Sequence, residues 1–142
     1  MLRLSWLHRL HKDMAKKRYS DLDLDFITHP VSGDITFKYD EDAVKQSIRN
    51  LVMMGIYEKP FHPEIRSEIS KMLFENFTSI TSFEIQKQIE DIISEHEPRA
   101  SIVSVMVTQS ADYNYLNVSL SFFLKGANNK LFDMRLPLER VR

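Results

Sequence analysis

The hydrophobic period of this chain changes from helical to two at a proline, and that change limits what the chain can build. Before Pro98, Ile85, Ile89, Ile92 and Ile93 recur with helical spacing up to about His96. Beyond it Val103, Val105 and Val107 alternate with Ser104, Met106 and Thr108, and Leu116, Val118, Leu120, Phe122 and Leu124 alternate with Tyr115, Asn117, Ser119 and Ser121. A period near 3.6 buries one stripe of a helix, whereas a period of two buries one face of a strand. Pro98 lacks an amide hydrogen and biases Glu97 toward extended geometry, so the helix has to end at Glu97-Pro98-Arg99. After the turn at Gly126-Ala127-Asn128-Asn129, a last run points Phe132, Met134 and Leu136 one way. Pro137 suits that run to a sheet edge, because proline cannot donate to a ladder.

Upstream, Asp21-Leu22-Asp23-Leu24-Asp25 and the alternating Ile35, Phe37 and Tyr39 flank Pro30-Val31-Ser32-Gly33-Asp34, which suggests a β-hairpin. Asp40-Glu41-Asp42 then precedes a helical pattern of Val44, Ile48, Leu51 and Val52, with its acids at the positive end of the dipole and Gly55 as a stop. Pro60-Phe61-His62-Pro63 connects to a second amphipathic pattern, Ile65, Ile69, Met72, Leu73 and Phe77, with Pro63 at the first helical position. Thr81 and Glu84 have capping-box spacing for a third helix. The expected fold class is α+β: an N-terminal helix and β-hairpin, then three helices packed on a C-terminal antiparallel sheet.

With 142 residues and 43% hydrophobic content the chain is sized for one domain. The expected division is a basic amphipathic extension over 1–18 and a single α+β domain over 19–142. In the extension Arg3, Arg9, Lys12, Lys16, Lys17 and Arg18 face Asp13 alone, while Leu2, Trp6, Leu10 and Met14 recur every four residues. The leading interpretation is a docking helix; Met14-Ala15-Lys16-Lys17 also resembles a second translational start. Overall net charge is −1, which gives no general affinity for polyanions. There is no cysteine, so disulfides and thiolate chemistry are excluded, and three glycines cannot build a phosphate-cradling loop. No apolar run is long enough to span a bilayer.

The candidate chemistries are weak. Glu75, Glu84, Asp91 and Glu97 offer nominal glycosidase pairs, of which Glu84 and Asp91 lie two turns apart on a polar helix face. No Gly-x-Ser-x-Gly elbow exists. His8 and His11 could share a helix face but lack further zinc ligands, and the acidic repeat lacks the glycine and closing glutamate of an EF-hand loop. No metal, cofactor or small-molecule substrate is expected. More distinctive are the apolar and prolyl cluster around Phe61, Pro63, Phe74 and Glu75 and the charged joint at Glu97-Pro98-Arg99. They suggest a protein-docking face in which Arg99 is available for bidentate pairing to a partner.

These residues resemble the baseplate wedge and sheath-initiator proteins of contractile-tailed phages, shared with type VI secretion and pyocin baseplates and historically labelled lysozymes. The resemblance runs from about Tyr19 to the C-terminus. It rests on Tyr19-Ser20-Asp21-Leu22-Asp23, His29-Pro30-Val31-Ser32-Gly33-Asp34, Pro60-Phe61-His62-Pro63-Glu64-Ile65, Leu73-Phe74-Glu75 and Glu97-Pro98-Arg99 in that order. Arg66 departs from the glycine frequent after Pro-Glu-Ile, and Thr78-Ser79 lacks a proline usual after Leu-Phe-Glu.

The resemblance implies a non-enzymatic component of a six-fold virion tail baseplate, assembled in the bacterial host cytoplasm. Glu97, Pro98 and Arg99 would hold the core bundle of partner wedge proteins, with Phe61, Pro63, Phe74 and Glu75 beside them. The terminal edge, Leu131, Phe132, Asp133, Met134, Arg135 and Leu136, would start the tail sheath by β-augmentation, which matches the edge-strand interpretation of the same residues. Expected partners are wedge proteins and sheath, with the tail tube as a further candidate, and no specific nucleic acid. Two rival functions remain at this level: a cell-wall glycosidase using Glu84 and Asp91, and a membrane or nucleic-acid adaptor acting through 1–18.

Overall fold

A computed structural model describes residues 18–54, 69–73, 75–111, 115–126 and 130–139. The expected N-terminal helix, with His8 and His11, lies outside them, as do Gly55, the Pro60–Pro63 connector and Phe74. The chain divides into two compact units, 1–43 and 44–142.

In the first unit β1 (Ser20–Leu22) pairs antiparallel with β2 (Phe37–Tyr39), and an isolated bridge joins Thr28 to Ile35. Two acids of the repeat share one lysine within this hairpin: Lys38 Nζ lies 2.9 Å from Asp23 and 3.0 Å from Asp25. The Lys38 hydrogen bond, helped by the Asp25 amide, holds the Asp23 carboxyl below its ordinary range, and Asp23 in turn raises Lys38. Among the described residues no acidic or histidine cluster is arranged to hold a metal. Asp40 has a left-handed φ of 44°, a conformation that L-residues rarely adopt. Its Oδ1 accepts the amides of Arg18 (2.8 Å) and Tyr19 (2.9 Å), which fix it there.

Helix α1 (Asp40–Met53) has Asp40, Glu41 and Asp42 in its first turn, as the sequence suggests, and buries Val44, Ile48 and Val52. The second amphipathic pattern is described as helix only over α2 (Ile69–Met72). Its end is tight: the Glu75 amide donates to the Met72 carbonyl (3.1 Å), and the chain turns before Phe77. The described residues contain two helices and a single turn, and 61–68, where the second pattern starts, lie outside them. The stop before Phe77 fits Asn76 and Thr78, residue types whose side chains compete for backbone groups and favour caps over helix interiors.

Helix α3 (Ser79–His96) is capped by Thr78, not Thr81: Thr78 Oγ1 accepts the Thr81 amide at 3.2 Å. Thr81 instead is buried and donates to the Asn76 carbonyl at 3.1 Å, and Glu84 stays exposed. Replacing Thr78 with Ala is expected to cost about 1 kcal/mol, read as a lower urea midpoint, whereas Glu84→Ala should leave that midpoint nearly unchanged.

Helix α3 buries Ile85, Ile89 and Ile93 on one stripe and packs against β3 (Ala100–Gln109), the first strand of an antiparallel sheet completed by β4 (Tyr115–Leu124) and β5 (Leu131–Glu139). The alternation read from β4 holds throughout, since Leu116, Val118, Leu120, Phe122 and Leu124 are all buried. It fails once in β3. A bulge between Ile102 and Ser104 leaves Val103 without a partner in the register and 52% exposed, while Val105 and Val107 stay inside. In β5, Phe132, Leu136 and Leu138 are buried and Met134 is half-buried.

Candidate functional site

The joint between α3 and β3 is closed by its own side chains. The Glu97 amide donates to the Ile93 carbonyl (2.8 Å) and the Ala100 amide to the Glu97 carbonyl (3.1 Å), so the chain reverses across Pro98. Glu97 is 2% exposed, an unusual position for a carboxylate. Arg99 Nε donates to Glu97 Oε1 and Arg99 Nη2 to Glu97 Oε2, both at 2.7 Å, and the Arg99 amide also donates to Oε1 at 3.3 Å. The geometry is the planar fork in which guanidinium matches carboxylate. Burial alone pushes the Glu97 pKa up; the Arg99 fork, with hydrogen bonds from Ser47 and the Arg99 amide, outweighs it and holds the carboxyl below its ordinary value. The Arg99 carbonyl accepts the Lys125 amide (2.9 Å), which ties the corner to the β4 end of the sheet.

Arg99 thus pairs with Glu97 through two nitrogens, so the fork expected to meet a partner carboxylate or backbone carbonyls is also made within the chain. Pro98 is the exposed member of the three, and Glu75 is also exposed. Phe61, Pro63 and Phe74 lie outside the described residues. Glu84 and Asp91 both sit on the exposed face of α3. Neither lines the described depressions. One, of about 560 Å³, is bounded by Phe77, Thr78, Ser79, Ser82, Phe83 and Gln86; the other, of about 360 Å³, is in the hairpin unit and holds only Asp34 as a carboxylate. A glycosidase needs two carboxyls facing each other across a cleft, and these two do not.

The sheet's two edges differ. Ser110 donates its amide to the Tyr115 carbonyl at 2.9 Å, which extends the β3–β4 register by one pair. Antiparallel pairs alternate between bonded and non-bonded, so odd-numbered residues of β4 bond toward β3 and even-numbered ones toward β5. Their β5 partners, Phe132, Met134, Leu136 and Leu138, are then bonded inward. The amides and carbonyls of Leu131, Asp133 and Arg135 point off the sheet, and Pro137 offers a carbonyl without a donor. On the opposite edge Val107 points outward by the same rule, and there the Ser82 hydroxyl donates to its carbonyl at 3.1 Å. Ser82 and the Val103 bulge guard β3, and no described residue covers β5. Sequence reasoning missed the role of Ser82, because a hydroxyl in a helix carries no local sign of the strand beside it.

Comparison with known proteins decides the family. The sequence model of the family described as baseplate wedge protein gp25 matches residues 38–129, more than half of the chain. The chain belongs to the baseplate wedge protein gp25 family. The baseplate wedge protein gp25 of Enterobacteria phage T4 is 28% identical over 122 residues, 86% of this chain and 92% of that protein. Solved structures share the fold. A protein titled a tail lysozyme from Geobacter sulfurreducens has a TM-score of 0.65 at 19% identity, over 72% of this chain and 92% of that one. A chain of the anti-feeding prophage baseplate has 0.60 at 21% identity, over 87% of each. A chain of the postcontracted pyocin R2 baseplate has 0.59 at 18% identity, over 76% of this chain and all of that one. Membership makes this wedge protein a structural component of a contractile-tail baseplate, acting among other baseplate proteins.

Proposed function

We propose that this wedge protein performs no catalysis: partner wedge proteins grip it at the Glu97-Pro98-Arg99 corner, and its β5 edge accepts a strand from the first ring of the tail sheath. The carrying observation is the contrast between the sheet edges, one guarded by Ser82 and the Val103 bulge, the other presenting an unpaired ladder at Leu131, Asp133 and Arg135. Main-chain pairing asks little of the newcomer's side chains, which suits a template for a polymer of a different protein. At the corner, the internal Glu97–Arg99 fork stiffens the turn so that it presents Pro98, with Glu75, Phe61, Pro63 and Phe74 completing the docking face. The domain begins at Tyr19, and 1–18 form a basic extension that reaches a neighbour in the six-fold assembly, with the tail tube as a candidate.

Two substitutions separate the parts. Pro98→Ala removes an exposed ring and leaves the fork in place; recovery with co-expressed wedge proteins should fall at least about tenfold while the urea midpoint shifts little. Arg135→Pro removes one off-sheet amide and should block sheath addition to assembled baseplates, whereas Arg135→Ala, which keeps that amide, should permit it. Normal sheath growth on Arg135→Pro baseplates would refute the strand-acceptor assignment. Peptidoglycan turnover by the purified protein, lost on Glu84→Gln, would refute the non-enzymatic one.

A further inference from the structure

The off-sheet side of β5 carries a charge order that is complementary to itself when reversed. Its outward-bonding residues are Leu131, Asp133, Arg135, Pro137 and Glu139, and their side chains lie together on the exposed face of the sheet. Setting two copies of β5 antiparallel about a two-fold axis at Met134 puts Asp133 of each copy opposite Arg135 of the other, and Leu131 opposite Pro137. Every one of these is an outward-bonding position, so the backbone parity required for a ladder is met without adjustment. The Leu131 amide then meets the Pro137 carbonyl, and the donor that proline lacks is confined to the ends of the ladder.

On the inner face the same register sets Phe132 beside Leu136 and Met134 beside its own copy, which joins two apolar layers. Shifting the register by two residues either way brings Asp133 onto Asp133 or Arg135 onto Arg135, directly opposed like charges that disfavour pairing. The charges therefore select one register. Asp133 Oδ1 accepts the hydroxyl of Ser121, its register partner on β4, at 2.7 Å, which keeps the carboxylate on the exposed face.

We propose that the free protein forms an isologous homodimer through β5, paired Asp133 to Arg135 in both directions, and so covers its own unpaired edge before assembly. The proposal concerns the isolated chain and does not depend on which protein later takes the edge.

Sedimentation equilibrium of the full chain tests it through a charge-exchange set. The wild type should show a monomer–dimer equilibrium. Asp133→Arg alone makes both cross-strand pairs cationic and Arg135→Asp alone makes both anionic, so each variant should dimerise at least about tenfold more weakly than the wild type. An equimolar mixture of the two single variants matches every charge and should recover dimer, as should the double variant by itself. Circular dichroism and urea midpoints of the single variants check that they remain folded. Amide exchange gives a second measurement: the Asp133 and Arg135 amides should be protected in the wild-type dimer and fast in either single variant. A wild-type chain that stays monomeric up to millimolar concentration would overturn the proposal. So would a dimer that both single variants leave intact, or a mixture that fails to recover it.

Discussion

Replacing Arg99 with Ala is expected to cost about 2–4 kcal/mol at neutral pH. The substitution strands Glu97, 2% exposed, without the fork that offsets its burial, and removing one member of a buried ion pair costs most of the desolvation of the other. The figure is set below the upper end of such losses because the Arg99 side chain is itself 23% exposed and partly hydrated.

The pH dependence gives this prediction a signature. In the wild type Glu97 is held below its ordinary pKa of 4.5, so its contribution is complete above that value and is lost as pH falls through the lower folded value. In Arg99→Ala the dominant remaining influence is burial, which raises the pKa. The buried carboxyl then favours the protonated form, and the variant's deficit should shrink as pH falls toward 4. Urea denaturation at pH 7 and pH 4 checks this. A deficit equal at both would mean that Arg99 acts by packing alone. Arg99→Ala should also impair wedge assembly, but a loss of assembly there reports on the fold as well as on docking, which is why Pro98→Ala is the cleaner probe.

Phe122→Ala is expected to cost about 3–5 kcal/mol. Phe122 is fully buried in the central strand, and its ring lies 5.9 Å from that of Phe132, its register partner on β5. Lys130 lies over the other aromatic ring, with its Nζ 4.9 Å from the Phe132 centroid. Truncation at 122 removes the contact that anchors the start of β5, so protection against amide exchange should drop first at Phe132 and Met134. Phe132→Leu, which keeps an apolar body in place, should cost less than half as much. Equal losses for the two would show that the aromatic pair matters beyond its volume.

Much of the wedge fold is legible in the sequence because it depends on local rules. Period-two alternation from Leu116 to Leu124 names the central strand, since every second residue is buried whatever packs above it. Pro98 ends α3 because it has no amide hydrogen to give, and Pro137 belongs on an edge for the same reason. The order of motifs around Glu97-Pro98-Arg99 carries the family.

What tertiary structure alone decided are pairings between groups that no local rule connects. Thr78 rather than Thr81 caps α3, because Thr81 is drawn inward to the Asn76 carbonyl. Val103 escapes the alternation of β3 because the β4 register leaves it without a partner. Arg99 folds back onto Glu97 instead of reaching outward, a choice set by the cost of leaving a buried carboxylate alone. Which backbone groups of β5 face outward follows from the parity of the whole sheet. The sequence by itself determined where elements begin, end and bury a face, since those depend on single residues and short periods; the partners of each polar group awaited the fold, since desolvation and register are properties of the packed assembly of strands and helices.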